Sequence, residues 1–245
     1  MKGYGPETFG ELNAGDYDRL HDPGTTDAAV DLLSEFALPG RTLELAIGTG
    51  RVALPLARCG CRIEGIEASA EMVAKLREKP GGADIPVTLG DMASVKAEGA
   101  FDFIFLIFNT LYNLTSQEAQ VRCFANAGEM LAPGGAFLIE AFVPDLSQFH
   151  NHRSMQPRHI SFDRLAIEAA IHDPVTQRID YQYLRFTPDG FRMTPLPMRY
   201  AWPQETDLMA QLAGLTLESR WGGWDKRAFA ADSRMHISVY RKPGA

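Results

Sequence analysis

The sequence has few cysteines, no long apolar run and no excess of basic residues. Three cysteines in 245 residues give no disulfide framework and are typical of a reducing compartment. The most apolar segment, Phe101 to Phe108, contains Asp102 and is far too short to span a bilayer. The first ten residues contain no apolar stretch, so we expect no secretory signal. These features predict a cytoplasmic protein without a membrane partner.

Acidic residues outnumber basic ones by 31 to 24, which gives a net charge of −7. Because an acidic domain repels phosphate backbones, we expect no nucleic-acid partner. Internal repeats and low-complexity tracts are also missing. What is present is an ordinary globular composition, with 45% hydrophobic residues, which suffices for a core. The length fits one large α/β domain, or one core domain with an insertion.

Strand-like apolar runs alternate with helical patterns through the first 143 residues. Strands are predicted over residues 42–47, 62–66, 87–89, 101–108 and 136–143. Alternation of this kind is typical of βαβ units and a parallel sheet. We expect Ser69 to cap the helix after the second strand, and Thr115 with Glu118 to form a capping box before a later helix.

The pattern changes after residue 143. Residues 164–172, 178–186 and 191–200 each alternate or favour extended structure, with turn signals between them. Pro195 and Pro197 favour an edge position for the third strand. A helix then begins at Pro203 and ends at Gly214, and residues 215–221 and 236–241 form closing strands. The sequence thus predicts an antiparallel meander inserted into an α/β chain.

A glycine turn follows the first strand and opens a helix. Gly48 and Gly50 let the backbone turn sharply and let a ligand approach it closely. Glu67, at the tip of the second strand, can accept both hydroxyls of a ribose. The spacing Gly48-x-Gly50-x-x-Ala53 also fits a dinucleotide-binding fingerprint. Alternatively, Gly48 and Gly50 form a structural turn between strand and helix that binds no ligand.

Two more carboxylates bear on which nucleotide would bind. Glu44 lies four residues before Gly48, where it would not help a pyrophosphate but would attract a ligand with an ammonium or sulfonium group. Asp91 follows the third strand and can accept from an exocyclic amine such as adenine N6, with Met92 over the ring. The alternatives are a solvated strand end or a backbone cap for Glu44, and a local cap for Asp91.

These residues, in this order, resemble the class I S-adenosylmethionine-dependent methyltransferases. Five motifs carry the resemblance: Glu44 to Gly50, Gly65 to Ser69, Gly90 to Met92, Phe101-Asp102 with Phe108-Asn109, and Leu131 to Gly135. It covers residues 40–143 and implies an α/β, Rossmann-like sheet of seven mostly parallel strands flanked by helices, with the last strand antiparallel. The antiparallel insertion after the fifth strand is similar in layout to that of small-molecule methyltransferases, including those that act on amino sugars.

The resemblance implies S-adenosyl-L-methionine as cofactor. Glu44 would lie near its ammonium group, Glu67 on the ribose hydroxyls and Asp91 on the adenine amine. Ala46 stands where the family often has its first glycine. The cofactor-binding positions implied are Tyr17, Glu44, Ala46, Gly48, Gly50, Arg51, Glu67, Ala68, Met72, Gly90, Asp91, Met92, Phe108 and Asn109. No metal site is expected, because His150, His152 and His159 have no carboxylate or cysteine at ligand spacing.

We therefore expect methyl transfer to a small-molecule acceptor. Residues 1–40 would form a helical lid, 41–145 the cofactor-binding core, 146–200 an insertion that covers the acceptor, and 201–245 a closing helix and hairpin. A homodimer through the insertion is a further possible role. A nicotinamide-dependent oxidoreductase using the same glycine turn, and a non-catalytic cofactor-binding protein, are the alternative functions.

The acceptor side offers candidates but no clear catalytic residue. We expect Tyr181, Tyr183, Arg192 and Arg199 to face the acceptor. The arginines Arg153, Arg158, Arg192 and Arg199 could meet an anionic acceptor, although solvated strand edges explain them equally well. A general base is needed only if the acceptor is a hydroxyl or a protonated amine. The candidates for that base are Tyr17, His21, Tyr112, Glu140 and His236.

Overall fold

The computed structural model describes residues 1, 3–21 and 23–244, and within them eleven strands and seven α-helices. The strands are β1 (Arg41–Leu45), β2 (Arg62–Glu67), β3 (Val87–Leu89), β4 (Phe101–Leu106), β5 (Leu131–Phe142), β6 (Arg153–Ile160), β7 (Leu165–Asp173), β8 (Arg178–Thr187), β9 (Gly190–Arg199), β10 (Thr216–Trp221) and β11 (Met235–Arg241). The helices are α1 (Thr8–Asn13), α2 (Tyr17–Leu20), α3 (Thr26–Ala37), α4 (Ala53–Arg58), α5 (Ala70–Arg77), α6 (Gln117–Met130) and α7 (Pro203–Leu212). None of the helices in this described part of the chain is long and apolar enough to cross a membrane.

Seven of the strands form one mixed sheet in the order β10-β11-β5-β4-β1-β2-β3. Strand β11 is antiparallel to both of its neighbours, and the pairs from β3 to β5 are parallel. The central strand β4 is buried except for Asp102, as expected for a parallel sheet covered on both faces. The predicted seven-stranded, mostly parallel sheet is therefore confirmed.

Helices pack on both faces of this sheet. Alternate residues of β4 point to opposite faces, so Phe103 belongs to one hydrophobic cluster and Ile104 to the other. On one face α3 places Phe36 against Phe103, with ring centroids 5.4 Å apart. On the other face α6 places Phe124 against Phe137 at 5.2 Å. Helix α3, within the predicted lid of residues 1–40, thus packs against the sheet.

The remaining four strands form a separate antiparallel sheet in the order β6-β7-β8-β9, which is called the insertion sheet below. Three of its strands were predicted, and β9 lies at an edge as Pro195 and Pro197 indicated. Strand β6 was missed. Its sequence shows no clean alternation, most of its residues are exposed, and its register shifts at Pro157, so no period-2 signal is left to detect.

Four predicted element boundaries were wrong for identifiable reasons. The capping box at Thr115 and Glu118 is replaced by Ser116, whose hydroxyl accepts from the Ala119 N–H at 3.1 Å. Strands β1 and β4 end earlier than predicted because the chain turns into left-handed backbone at Ala46 and Phe108. Strand β5 begins five residues earlier than predicted, since the residues around Gly134 form an irregularity within the strand.

Candidate functional site

A cavity of about 810 Å³ lies between the main sheet, the N-terminal helices and the insertion sheet. Gly48 and Glu67 contribute to it from the carboxyl ends of β1 and β2, Tyr17 from α2, and Tyr183 from the insertion sheet. In open parallel sheets, ligands bind at this edge. The volume is in the usual range for small-molecule sites, about 300–1,000 Å³. The predicted cofactor and acceptor regions therefore meet in one space.

The glycine turn after β1 needs left-handed backbone at three positions. Ala46, Gly48 and Gly50 have φ values of 56°, 58° and 75°. At Gly50 a Cβ atom would also lie 2.3 Å from Leu76 Cδ1, so a side chain there would have to displace Leu76. Ala46, which replaces a glycine of the family pattern, carries a strain of about 1–2 kcal/mol in this conformation. Ala46 and Gly48 line the cavity.

Glu67 joins the end of β2 to the glycine turn. One carboxylate oxygen accepts from the Gly48 N–H at 2.8 Å and the other from the Ser69 N–H at 2.9 Å. The side chain is largely buried on the cavity wall, and this burial raises its pKa, against the effect of the N–H donors. Each oxygen keeps a second lone pair, so Glu67 can still accept a hydrogen bond from a ligand hydroxyl.

Asp91 and Met92 line the cavity after β3. Asp91 also caps the next segment, because its Oδ1 accepts from the Ala93 N–H at 3.0 Å and its Oδ2 lies 3.4 Å from Ser94 Oγ. The two interpretations of Asp91 are compatible, since a carboxylate can cap locally and still present lone pairs to the cavity. Gly90, Ala68 and Met72 lie on the same wall, as the resemblance implied.

The loop after β4 is held in strained backbone beside the cavity. Phe108 and Asn109 have φ values of 63° and 60°, and both line the cavity. Two contacts from β5 fix them: the Phe108 N–H donates to Glu140, and the Phe142 N–H donates to Asn109 Oδ1 at 2.6 Å. Burial raises the pKa of Glu140 to about 7, against the effect of the Phe108 and Asn109 backbone N–H groups, which favour the charged carboxylate. Strain of this kind is commonly found at functional sites.

Glu44 lies outside the residues that line the cavity but close to them. Its side chain is buried, and its Oε2 has no hydrogen-bond partner within the described chain. Burial raises its pKa well above the usual value, while Arg51 lowers it and Glu67 raises it further. A buried carboxylate oxygen without a partner is costly and is expected to gain one when a ligand binds. An ammonium group fits that need.

Arg51 and Gly50 also stay off the cavity wall. The Arg51 guanidinium carbon lies 4.1 Å from the Phe108 ring centroid and 5.8 Å from that of Tyr17. Its Nη1 donates to the His21 carbonyl at 2.6 Å. Arg51 thus connects the N-terminal segment to the loops of the sheet, and its contact with the cofactor stays a prediction.

Helix α2 closes the cavity over the glycine turn. The Thr49 hydroxyl donates to Asp18 at 2.6 Å, and Lys79 contacts both the Asp18 carboxylate (2.6 Å) and the Thr49 carbonyl (2.8 Å). Tyr17, Leu20 and His21 line the cavity from this helix and its end. Within the predicted lid of residues 1–40, described residues between Met1 and His21 line the cavity, and α3 packs against the sheet.

The insertion sheet supplies the opposite wall. Arg158 forms a bidentate pair with the buried Glu168, at 3.1 and 2.6 Å, and Tyr183 lies beside them. Of the four residues expected to face the acceptor, only Tyr183 lines the cavity. Tyr181 is buried behind it, with the two ring centroids 6.3 Å apart.

The expectation for Arg192 and Arg199 was wrong. Arg192 reaches the N-terminal segment, where it pairs with Asp16 at 3.1 Å. Arg199 is buried among polar side chains and pairs with Glu205 at 2.6 Å. The alternating pattern predicted which residues share a face, but it could not show that both guanidinium groups are already occupied by other parts of the chain.

Three candidates for a general base do not reach the cavity. The Tyr112 hydroxyl lies 2.8 Å from the Ala201 carbonyl, and Glu140 braces the loop after β4. His236 is buried with its Nδ1 2.9 Å from Ser238 Oγ, and burial lowers its pKa to about 3.

Tyr17 and His21 do line the cavity and are stacked, with ring centroids 5.2 Å apart. His21 Nε2 is buried and has no partner within the described chain. Burial, followed by the charges of Arg185, Arg51 and Arg192, lowers the pKa of His21. Its imidazole is therefore neutral at pH 7 and able to accept a proton.

Several cavity residues carried no sequence signal. Tyr4 and Asn113 line the cavity, and each has a buried oxygen without a partner in the described chain. Tyr4 lies outside any helix or strand and Asn113 in a short 3-10 helix, and in neither place does a period or motif point to a ligand. Glu168 and Arg185 could have been found from the alternation of β7 and β8, because it places them on the same face as Tyr183.

Comparisons with known proteins agree with this geometry. The family described as "Methyltransferase domain" matches residues 42–135. "Putative methyltransferase YqeM" from Bacillus subtilis (strain 168) is 30% identical over 110 residues, which cover 43% of this chain and 44% of that protein. The chain therefore spans less than half the length of this curated relative.

Solved structures match over the whole chain. The CcbJ methyltransferase from Streptomyces caelestis is 34% identical, with a TM-score of 0.92, and the match covers 99% of this chain and 100% of that one. An amino pentose methyltransferase from Micromonospora echinaspora, solved with bound S-adenosylmethionine, has a TM-score of 0.66 at 20% identity, covering 93% and 95% of the two chains. The second likeness concerns the fold alone.

Proposed function

The chain belongs to the class I S-adenosylmethionine-dependent methyltransferases, and we propose that it methylates a small-molecule acceptor held beneath the insertion sheet. One observation carries this proposal. The same cavity is lined by Gly48, Glu67 and Asp91 on one side and by Glu168 and Tyr183 on the other. A cofactor and a second small molecule can therefore lie against each other within about 810 Å³.

The residues at the sheet edge fit the cofactor. We assign Glu67 to the ribose hydroxyls, Asp91 and Met92 to the adenine, and the Phe108 carbonyl with Glu44 to the ammonium group. The unpartnered Oε2 of Glu44 supports this assignment, because it lacks a hydrogen-bond donor and an ammonium group would supply one. When bound, S-adenosylmethionine supplies an electrophilic methyl group on a sulfonium sulfur.

The chain's own contribution to the reaction is to position the acceptor and exclude water. Tyr17 and His21 close the cavity on the N-terminal side, and Glu168 and Tyr183 close it on the insertion side. Holding two reactants in line at close distance is worth several kcal/mol of the barrier. Exclusion of water also strengthens each electrostatic contact inside the cavity.

We assign the proton-accepting role to His21. Its Nε2 lacks a partner in the described chain, its ring borders the cavity, and the cause of its lowered pKa is burial reinforced by three arginines. A neutral imidazole at pH 7 can remove the proton from a hydroxyl or a protonated amine. His21 thus extends the acceptor range beyond amines that are already neutral.

Methyl transfer from isotopically labelled S-adenosylmethionine to a panel of amino sugars, other small amines and small alcohols tests the proposal. We expect label in at least one compound class, and a raised acceptor KM without a change in cofactor Kd for Glu168→Gln. Glu218→Gln, at a surface pair with Arg241, serves as the matched control. Cofactor binding without transfer to any compound would favour a non-catalytic binding protein.

An oxidoreductase is the second candidate function, and one observation weighs against it. The unpartnered carboxylate of Glu44 lies behind the glycine turn, where a dinucleotide would place its pyrophosphate. A pyrophosphate there would raise the pKa of Glu44 still further and would offer its unpartnered oxygen no hydrogen-bond donor. The likeness of the chain to methyltransferases over its full length supports the first candidate.

We also propose that the protein forms a homodimer through the outer face of the insertion sheet. Exposed apolar side chains lie on this sheet, among them Met155, Ile171, Phe191 and Met193. Exposed apolar patches commonly mark interfaces, and a two-fold axis would place the same patch on both copies. Sedimentation of Met155→Glu and Met193→Glu against the unchanged chain tests this, with a shift from dimer to monomer as the expected result.

A further inference from the structure

Three arginines of the insertion sheet reach the cavity wall, and they differ in their partners. Arg158 pairs with Glu168 at 2.6 Å, and Arg178 pairs with Asp180 at 2.8 Å. Arg185 lines the same cavity, yet its guanidinium forms no hydrogen bond or ion pair within the described part of the chain. Its guanidinium therefore presents five N–H donors that no protein acceptor uses.

The register of the insertion sheet places Arg185 where its charge lowers the stability of the ligand-free protein. Arg185 on β8 lies directly opposite Arg192 on β9. Like charges in directly opposed positions destabilise a sheet. Arg192 is occupied by the N-terminal segment, where it contacts Asp16 and the Leu12 carbonyl. No comparable contact compensates Arg185.

Further charges near Arg185 are also mostly positive. Burial is the largest cause that lowers the pKa of Arg185, followed by the charges of Arg192, Arg19 and Arg164, with Asp16 acting in the opposite direction. Asp16 is shared, because it accepts from Arg19 at 2.8 Å as well as from Arg192. This corner of the cavity thus holds more positive than negative side chains, an arrangement that favours the binding of an anion.

We propose that Arg185 binds an anionic group on the methyl acceptor, a carboxylate or a phosphoryl group, so that the acceptor carries a negative charge apart from the atom that is methylated. This inference rests on the proposed function, since it deepens the identity of the acceptor. A planar guanidinium can bind either group through two parallel hydrogen bonds. His21 lies close enough for Arg185 to lower its pKa, so the anion would be bound near the proposed base.

Binding of simple anions tests the proposal without any methyl transfer. Calorimetry would use the protein saturated with S-adenosylhomocysteine, at constant ionic strength set by sodium chloride, and three probes: acetate, inorganic phosphate and neutral acetamide. Two charge-assisted hydrogen bonds predict a Kd of about 1 mM for the preferred anion. Acetamide should not bind measurably. Tighter acetate binding indicates a carboxylate, and tighter phosphate binding indicates a phosphoryl group.

The decisive comparison uses matched variants on one strand. Arg185→Gln should weaken anion binding at least about tenfold, whereas Arg178→Gln, which removes a paired arginine of the same wall, should leave it unchanged. Arg185→Lys keeps the charge but loses the bidentate geometry, and it should fall between the two. Equal anion binding by the unchanged chain and Arg185→Gln would overturn the proposal.

The direction of the change in Tm is an independent readout, because loss of an arginine with a structural role would lower Tm. Without ligand, Arg185→Gln should raise Tm by about 1–4 °C, because the repulsion with Arg192 is removed. A lowered Tm together with unchanged anion binding would show a structural role and refute the inference. Failure of S-adenosylhomocysteine to bind the unchanged chain would contradict the proposed function instead, and the anion titration can then be repeated on the protein alone.

Discussion

Replacement of Asn109 tests whether the loop after β4 depends on its left-handed backbone. Asn109 has a φ of 60°, and its Oδ1 accepts from the Phe142 N–H at 2.6 Å. Asn109→Ala removes this hydrogen bond, at a cost of about 1–3 kcal/mol for the donor left behind. Alanine also adds about 1 kcal/mol of left-handed strain relative to asparagine, which tolerates this conformation. We therefore expect a total loss of about 2–4 kcal/mol.

Asn109→Gly separates the two contributions. Glycine adopts the left-handed conformation without strain but cannot accept the Phe142 N–H, so this variant should lose only the hydrogen-bond share. Urea denaturation, analysed by linear extrapolation, measures both differences. The alanine variant should be about 1 kcal/mol less stable than the glycine variant. It should also bind S-adenosylmethionine more weakly, because Phe108 and Asn109 both line the cavity.

Both Asn109 variants lose the same hydrogen bond, and only alanine adds the strain of left-handed backbone. Equal stability of the two variants would therefore refute the backbone argument. A loss below about 0.5 kcal/mol in both would refute the hydrogen-bond argument as well. Thr88→Ala, on the short outer strand β3, provides a control for ordinary truncation near the same sheet edge.

Three further predictions concern single carboxylates and the histidine. Glu67→Ala should weaken S-adenosylmethionine binding by about ten- to a hundredfold, measured by calorimetry, because a charged acceptor for the ribose is lost; unchanged affinity would remove Glu67 from the site. The acid limb of the kcat/KM profile should lie below pH 6.5 and report the lowered pKa of His21, with activity falling as the pH drops through it, and His21→Gln should abolish that limb. Folding raises the pKa of Glu140 from 4.5 to about 7, so its protonation stabilises the fold at low pH, and this contribution is lost as the pH rises from 4.5 to 7. The urea midpoint should therefore fall over this pH range, and Glu140→Gln should make the midpoint less dependent on pH.

The parallel strands of the main sheet could be predicted because each central strand carries a strong local signal. The apolar run of β4 and the glycine turn after β1 specify buried parallel strands and the edge where a ligand binds. Glu67 and Asp91 were expected at that edge, and both line the cavity. In each case, the residue's position at the end of a strand was enough to predict its placement.

The acceptor side could not be predicted to the same depth, because it depends on side-chain contacts between different elements of the fold. Arg199 shares a strand pattern with cavity residues, but it is bound by Glu205, six residues away on α7. Arg192 is drawn to Asp16, and His21 is placed by Arg51 through a backbone carbonyl. No periodicity encodes which partner a guanidinium will choose.

The central claim is that this edge binds S-adenosylmethionine through its positive charge. Calorimetric titration of S-adenosylmethionine and NADH into the unchanged chain and Glu44→Gln tests it most directly. We predict binding of S-adenosylmethionine in the micromolar range, with weaker binding by Glu44→Gln because an ion pair is lost while the side-chain shape is kept. Tight binding of NADH that improves in Glu44→Gln, with no heat from S-adenosylmethionine, would contradict the account.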